Sequence, residues 1–271
     1  MIRAAAVLVR HSLRRMQTVL GVMAGFLMLF QVLLALAAAE LQREGSFAQL
    51  AALVPPFVRE LFGTALLAMM SFSGILALGY YHVAIVAVLV ALVIAIGTEP
   101  AAEIETGFAD LILSRPLTRS AVLARTVVLL LAGPAAVIGA MAAGSFLGVW
   151  WTAPPAALRP APGLIGSLAA GLWTLLFCWG GITLAIASAA RRRSVAGSVT
   201  GALAAASMLA DYLSRVWSPL KPIARFSPFR YYNPLDLVMG KPIAAADLAV
   251  LAATGLAGFA VAWIVYTRRD V

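Results

Sequence analysis

The chain is short of charge, of lysine and of cysteine. Only 11% of its 271 residues are charged, against about 25% in an ordinary soluble domain. A soluble fold of this size has no interior large enough for 63% hydrophobic residues, so the solvent around most of the chain is lipid. The one cysteine, Cys178, lies in an apolar run and rules out an intrachain disulfide. Lysine occurs twice, at Lys221 and Lys241, so the net charge of +9 is carried by arginine. In a membrane chain that excess is first a topological signal, and a nucleic-acid arm is the minor alternative.

Chemistry is also missing. No G-x-x-x-x-G-K-[ST] phosphate loop occurs, and Gly240-Lys241 is followed by Pro242. There is no H-E-x-x-H, no Cys/His metal spacing and no G-x-S-x-G elbow. His11 and His82, the two histidines, are far apart. We therefore expect no catalytic residue, no metal and no cofactor held by this chain. Ionisable residues are absent from the middle of every expected span, and Gln31 is the one long polar side chain well inside one. Ion-driven carriers normally need such groups, so energy for any transport is expected from a partner.

What is present is a set of long apolar runs. In lipid the backbone must satisfy itself, which leaves helices or a closed barrel. The runs lack the period-two alternation of a barrel strand, and the expected fold is all-α and polytopic. Residues 2–17 place Arg3, Arg10, Arg14 and Arg15 on one helical arc, opposite Ile2, Val9, Leu13 and Met16. That pattern predicts an amphipathic helix in the membrane interface. Six spans follow, at about 18–38, 80–98, 120–149, 164–190, 195–212 and 244–267. The stretch 61–98 divides into one span or two. Charge parity favours one, with residues 64–78 lying shallow or re-entrant, because Arg115, Arg119 and Arg125 then share the side of the basic N-terminus. Arg191-Arg192-Arg193 marks a further turn on that side. On this count both termini are cytoplasmic, in a bacterial inner membrane. Residues 213–243, rich in proline and aromatics, are on this count an outer segment. Three G-x-x-x-G spacings, Gly21/Gly25, Gly144/Gly148 and Gly197/Gly201, suit close helix packing within the chain, with a dimer contact as the alternative.

The segment 99–119 stands out. Thr98 is placed to cap a helix with Pro100 in its first turn, and Glu99, Glu103 and Glu105 suit its N-terminal dipole. Phe108, Leu111 and Ile112 give it an apolar face, and Pro116 stops it after Arg115. Thr118 or Ser120 can cap the helix that follows. A cytoplasmic helix joined by a tight turn to a span can carry a push from a soluble partner into the membrane.

The run Glu103-Ile-Glu-Thr-Gly-Phe-Ala-Asp-Leu-Ile-Leu-Ser-Arg-Pro-Leu-Thr-Arg-Ser120 resembles the cytoplasmic signature of type-2 ATP-binding-cassette (ABC) transporter permeases. Ser227-Pro-Phe-Arg-Tyr-Tyr-Asn-Pro-Leu235 is similar to the motif those permeases carry before their last span. The acidic part of the first motif is thinned and reordered here. The resemblance implies a permease subunit of an exporter, working as a pair with ATPase subunits that bind ATP and Mg. It implies that residues 99–119 form a coupling helix, with Glu99, Glu103, Glu105, Phe108, Leu111, Arg115, Pro116 and Arg119 meeting the ATPase. The resemblance also implies re-entrant helices in the outer segment, where Arg225, Arg230, Tyr231 and Tyr232 are candidates for contact with lipid phosphate or an anionic substrate. The alternatives are a membrane-embedded structural or regulatory partner, or an energy-independent channel or secondary transporter.

Overall fold

A computed structural model describes residues 2–43, 68–107, 118–152, 159–161 and 163–268, with side chains of the first helix from Val9. The long elements are α1 (Ile2–Arg43), α2 (Phe72–Tyr81), α3 (Val83–Gly97), α4 (Glu99–Glu105), α5 (Arg119–Thr152), α6 (Leu164–Ala189) and α7 (Arg193–Val216). The short α8 (Lys221–Ala224) and α9 (Pro234–Val238) precede α10 (Ala245–Arg268). The described residues are all-α. Five stretches are long and apolar enough to cross a membrane: Val9–Arg43, Phe72–Gly97, Arg119–Thr152, Leu164–Ala189 and Ala245–Arg268. The chain is a multi-pass membrane protein on this evidence.

Two helix pairs organise the bundle. A side chain at Gly144 would strike the Met28 carbonyl, and one at Gly148 would strike Ala35. Gly133 lies beside Leu20. Numbers rise together on both helices, so α1 and α5 run parallel. The same holds for α6 and α10, where Gly255 sits on Phe177 and Gly258 on Gly181. Lipid supplies no hydrophobic drive between helices, so close backbone approach through small residues is what holds them. Of the three G-x-x-x-G spacings, Gly144/Gly148 makes such an intrachain contact, whereas Gly21, Gly25 and Gly201 have no neighbour within reach of a Cβ.

Parallel neighbours require an odd number of crossings between them. Residues 72–97 supply one between α1 and α5, which excludes the two-span division of 61–98. The expected start at residue 80 is corrected, however. Ser71 caps α2, its hydroxyl oxygen accepting the Gly74 N–H at 3.0 Å, so the helix begins at Phe72. A single extended residue, His82 (ψ 125°), separates α2 from α3 and caps the second. Residues 72–78 are therefore the first part of this span, and not a shallow segment. Phe72, Leu76 and Tyr80, spaced four apart along α2, are buried, and α2 packs on α1. The Tyr80 hydroxyl lies 3.0 Å from that of Ser145 on α5.

Two other expectations change. The break between an interfacial helix over 2–17 and a span over 18–38 is absent, because α1 is helical throughout its 42 residues. At 1.5 Å per residue it is about 63 Å long, twice the ~30 Å hydrocarbon core. Leu13 and Met16 pack on the main core, so the basic arm extends the span helix. The expected fifth span, 195–212, falls in α7, which is not among the five apolar stretches. Its inward face is small or polar (Ala196, Thr200, Ala204, Asp211, Ser214), and its large apolar residues Val195, Val199, Leu203 and Leu209 point outward. Since α6 and α10 are parallel, the chain between them must still reverse once, and α7 is the long helix there.

Residues 217–244 form short helical turns that enter the bundle from the end where α7 finishes. The ring of Phe229 lies 5.6 Å from that of Trp179, near the middle of α6. The Tyr232 hydroxyl donates to the Tyr80 carbonyl at 2.7 Å, and the Ser227 hydroxyl donates to the Ser207 carbonyl at 2.8 Å. The first residues of the expected outer segment 213–243 belong instead to α7.

The glycine contacts make a direct prediction. Gly181→Val should destabilise the solubilised protein by at least the ~1–3 kcal/mol of an overpacked core, because the added carbons meet the Gly255 backbone. Gly166→Val, on the same helix but facing open space, should leave thermal unfolding within a degree or two of wild type.

Candidate functional site

The segment singled out by its acidic residues lies where α3, α5, α6 and α7 come together at one end of the bundle. Helix α4 follows α3 almost without a break. Thr98 does not cap it, contrary to the sequence reading. Its hydroxyl donates back to the Ile94 carbonyl at 2.8 Å, and its backbone stays right-handed helical. Pro100 does occupy the first turn. The helix is also shorter than expected. It ends at Glu105, and Gly107 takes φ 69°, a left-handed stop that glycine adopts without strain. A single helix from 99 to 115 is therefore excluded. Phe108, Leu111, Arg115 and Pro116 lie outside the described residues. Thr118 does cap α5, accepting the Ala121 N–H on its hydroxyl at 3.2 Å.

Each glutamate of α4 reaches a different place. Glu103 is buried, and one of its oxygens meets the Arg125 guanidinium at 2.7 Å on α5, also buried. The second Glu103 oxygen and Arg125 Nε have no hydrogen-bond partner among the described residues. Glu99 meets the Arg193 guanidinium at 3.4 Å, and Glu105 accepts the Arg193 backbone N–H at 2.9 Å. The same guanidinium donates to the Ala95 carbonyl at 3.1 Å. Ala101, Ala187 and Ala196 close a small core between α4, α6 and α7. A seven-residue helix thus ties the ends of four longer ones.

These placements redistribute the roles expected of the acidic residues. Glu103 faces inward, so a partner approaching this end would meet Glu105, which is exposed, and the half-buried Glu99 first. Arg119 opens α5. Sequence reasoning used Arg125 and Arg193 only as topological markers and missed both as partners. The available signal was three glutamates within seven residues, in a chain with 11 acidic residues, all on the side otherwise marked by arginine.

At the opposite end, Arg230 and Tyr231 line a cavity of about 490 Å³, and Tyr231 and Tyr232 line a neighbouring one of about 350 Å³. Arg225 lines neither; its backbone carbonyl accepts the Tyr231 hydroxyl at 2.9 Å. The four outer candidates are thus brought to one end, but only Arg230 presents a cation to a cavity. No cluster of histidine, cysteine or carboxylate groups suited to a metal occurs among the described residues. No family model, no curated protein and no solved structure matches the chain.

A buried ion pair is worth little net against an apolar pair, but losing one partner strands a charge, at a cost of about 3–5 kcal/mol. Glu103→Ala and Arg125→Ala should each lower the unfolding temperature markedly. Glu103→Leu with Arg125→Leu should recover most of the loss, as read by a double-mutant cycle on thermal melts. Arg193→Gln, which breaks a partly exposed contact, should cost no more than about 1 kcal/mol.

Proposed function

We propose that the chain is the membrane subunit of an ABC exporter, in which residues 99–119 couple the spans to a separate ATPase. The observation that carries this reading is the bonding of α4. One short helix is held to the start of α5 by the Glu103–Arg125 pair and to the start of α7 by Glu99, Glu105 and Arg193. A partner pushing on this segment would bear on both helices, rigidly on α5 through the buried Glu103–Arg125 pair and through the partly exposed Arg193 contacts on α7. The chain holds no phosphate loop, so ATP and Mg would be bound by the partner. The coupling end is then cytoplasmic, and the permease would act as a pair, with a second copy or a related chain.

The proposal is tested by what the protein carries and touches. Cys178 is the sole cysteine and is buried, so a cysteine placed at exposed Glu105 gives a single reactive site. In native membranes Glu105→Cys should crosslink to a phosphate-loop ATPase, and the gently extracted wild type should retain that ATPase. Glu105→Lys, reversing the exposed charge, should reduce ATPase retention more than it reduces thermal stability. A crosslinked and co-purified fraction without any ATPase, from cells that express the chain at native level, would overturn the reading.

A further inference from the structure

The re-entrant end carries charges whose arrangement the coupling reading does not use. Asp211, Arg215, Lys221, Arg230 and Asp247 line the larger cavity, whose size is typical of small-molecule sites, about 300–1,000 Å³. Asp211 and Arg215 satisfy each other across one helical turn at 2.9 Å. Lys221, Arg230 and Asp247 have no ion-pair partner among the described residues. Asp247 sits in the first turn of α10, where a negative charge complements the helix dipole. One concavity therefore holds two unpaired cations and one unpaired anion.

The ligand chemistry follows from that balance. A purely anionic ligand would engage Lys221 and Arg230 but leave Asp247 facing a like charge. A purely cationic one would leave both basic residues unmatched. A ligand carrying a phosphate and an ammonium group matches all three. The amide of Asn233 donates to the Arg230 carbonyl at 2.9 Å, which leaves its side-chain oxygen to accept. Asp247 and Asn233 together suit an ammonium with N–H donors better than a quaternary one.

The surroundings point to a lipid source. Tyr231, Asn233 and Asp247 also line the smaller cavity, whose other walls include Leu237, Ile243 and Leu248 and the mutually paired Asp236 and Lys241. A compartment with unpaired charges thus opens beside a more apolar one whose added charges neutralise each other. Trp217, Ile223 and Phe226 on the same segment are at least 57% exposed, as expected of side chains at the headgroup layer. We infer that this paired cavity binds a zwitterionic phospholipid with a primary ammonium. Its phosphate rests on Lys221 and Arg230, its ammonium on Asp247, and its glycerol and upper acyl carbons enter the apolar compartment. This inference stands independently of the proposed ATPase partnership.

The experiment is native mass spectrometry of the full chain after equilibration with equal amounts of phosphatidylethanolamine, phosphatidylcholine and phosphatidylglycerol of matched acyl chains. Wild type should retain phosphatidylethanolamine over either competitor by on the order of tenfold, the scale of one charge-assisted hydrogen bond. Asp247→Asn should abolish the preference over phosphatidylglycerol, and Asp247→Glu should keep it. Lys221→Gln with Arg230→Gln should lose all three lipids, with Arg230→Gln alone intermediate. Glycerophosphoethanolamine at the same concentration should fail to displace the lipid. Equal retention of the three lipids by wild type, an unchanged preference in Asp247→Asn of wild-type melting temperature, or full displacement by the soluble headgroup would each overturn the inference.

Discussion

Parallel contact between long helices is the constraint from which the rest of this architecture follows. Antiparallel neighbours need only a short loop, whereas α1 with α5, and α6 with α10, can lie side by side only if the chain crosses back between them. The contacts are fixed by glycine. At Gly144, Gly181 and Gly258 a neighbouring backbone occupies the space a Cβ would take. In lipid, such packing replaces the hydrophobic drive that water supplies to a soluble core. The direction of each pair is thereby set locally, by a few contacts, and the direction of everything between them is set with it.

That requirement explains why α7 holds its position with an unusual face. It buries alanine, serine, threonine and Asp211, and it turns valine and leucine outward. A helix read for its mean apolarity looks unsuited to lipid, yet one read by face is well suited. Its large apolar side chains point away from the bundle while its small and polar ones permit close approach to neighbours and hydrogen-bond locally, as Thr200 does to the Ala196 carbonyl at 2.8 Å. The segment 217–244 depends on the same small inward face. Ser227 bonds the α7 backbone at Ser207, and Phe229 reaches Trp179 beyond it.

Much of this was legible from the sequence, and the failures share a cause. Charge parity prefers one crossing over 61–98, and one apolar stretch, Phe72–Gly97, is described there. A cap at Thr118 or Ser120 was readable from local chemistry, and Thr118 is the one that bonds the helix. Thr98 was misread because a threonine hydroxyl can cap the next helix or bond the preceding turn, and only the path of the backbone decides. The start of the second crossing was missed because serine and glycine at Ser71, Ser73 and Gly74 look like interruptions, whereas Ser71 is a cap and Gly74 fits against the Ala68 carbonyl. Continuity of α1 was hidden because a basic amphipathic arc suits a helix lying in the interface or one extending from a span. Which arginines partner Glu99, Glu103 and Glu105 was not fixed by the sequence, where the glutamate cluster marks a basic environment but Arg193 is 88 residues beyond Glu105.

The two functional ends are joined by one element. Helix α7 begins at Arg193, within the glutamate junction, and ends with Asp211, Ser214 and Arg215 in the wall of the charged cavity. Its 24 residues span about 36 Å, so one continuous helix connects the end that would receive a push to the end that would hold a lipid. Coupling through such a helix needs two arrangements of the element and a bias from each end. Arg193 provides the bias at one end, since its contacts to Glu99, Glu105 and Ala95 are largely exposed and weak enough to exchange. At the other, the Asp211–Arg215 pair travels with the helix, whereas Lys221, Arg230 and Asp247 belong to segments that follow it. A shift of α7 along its axis would therefore change the spacing between Arg215 and the unpaired charges without breaking any buried ion pair. The buried Glu103–Arg125 pair, by contrast, fixes α4 to α5 and has no comparable freedom. The rigid contact and the exchangeable one meet in the same seven-residue helix, which makes α4 the point where movement of α7 relative to α5 is decided.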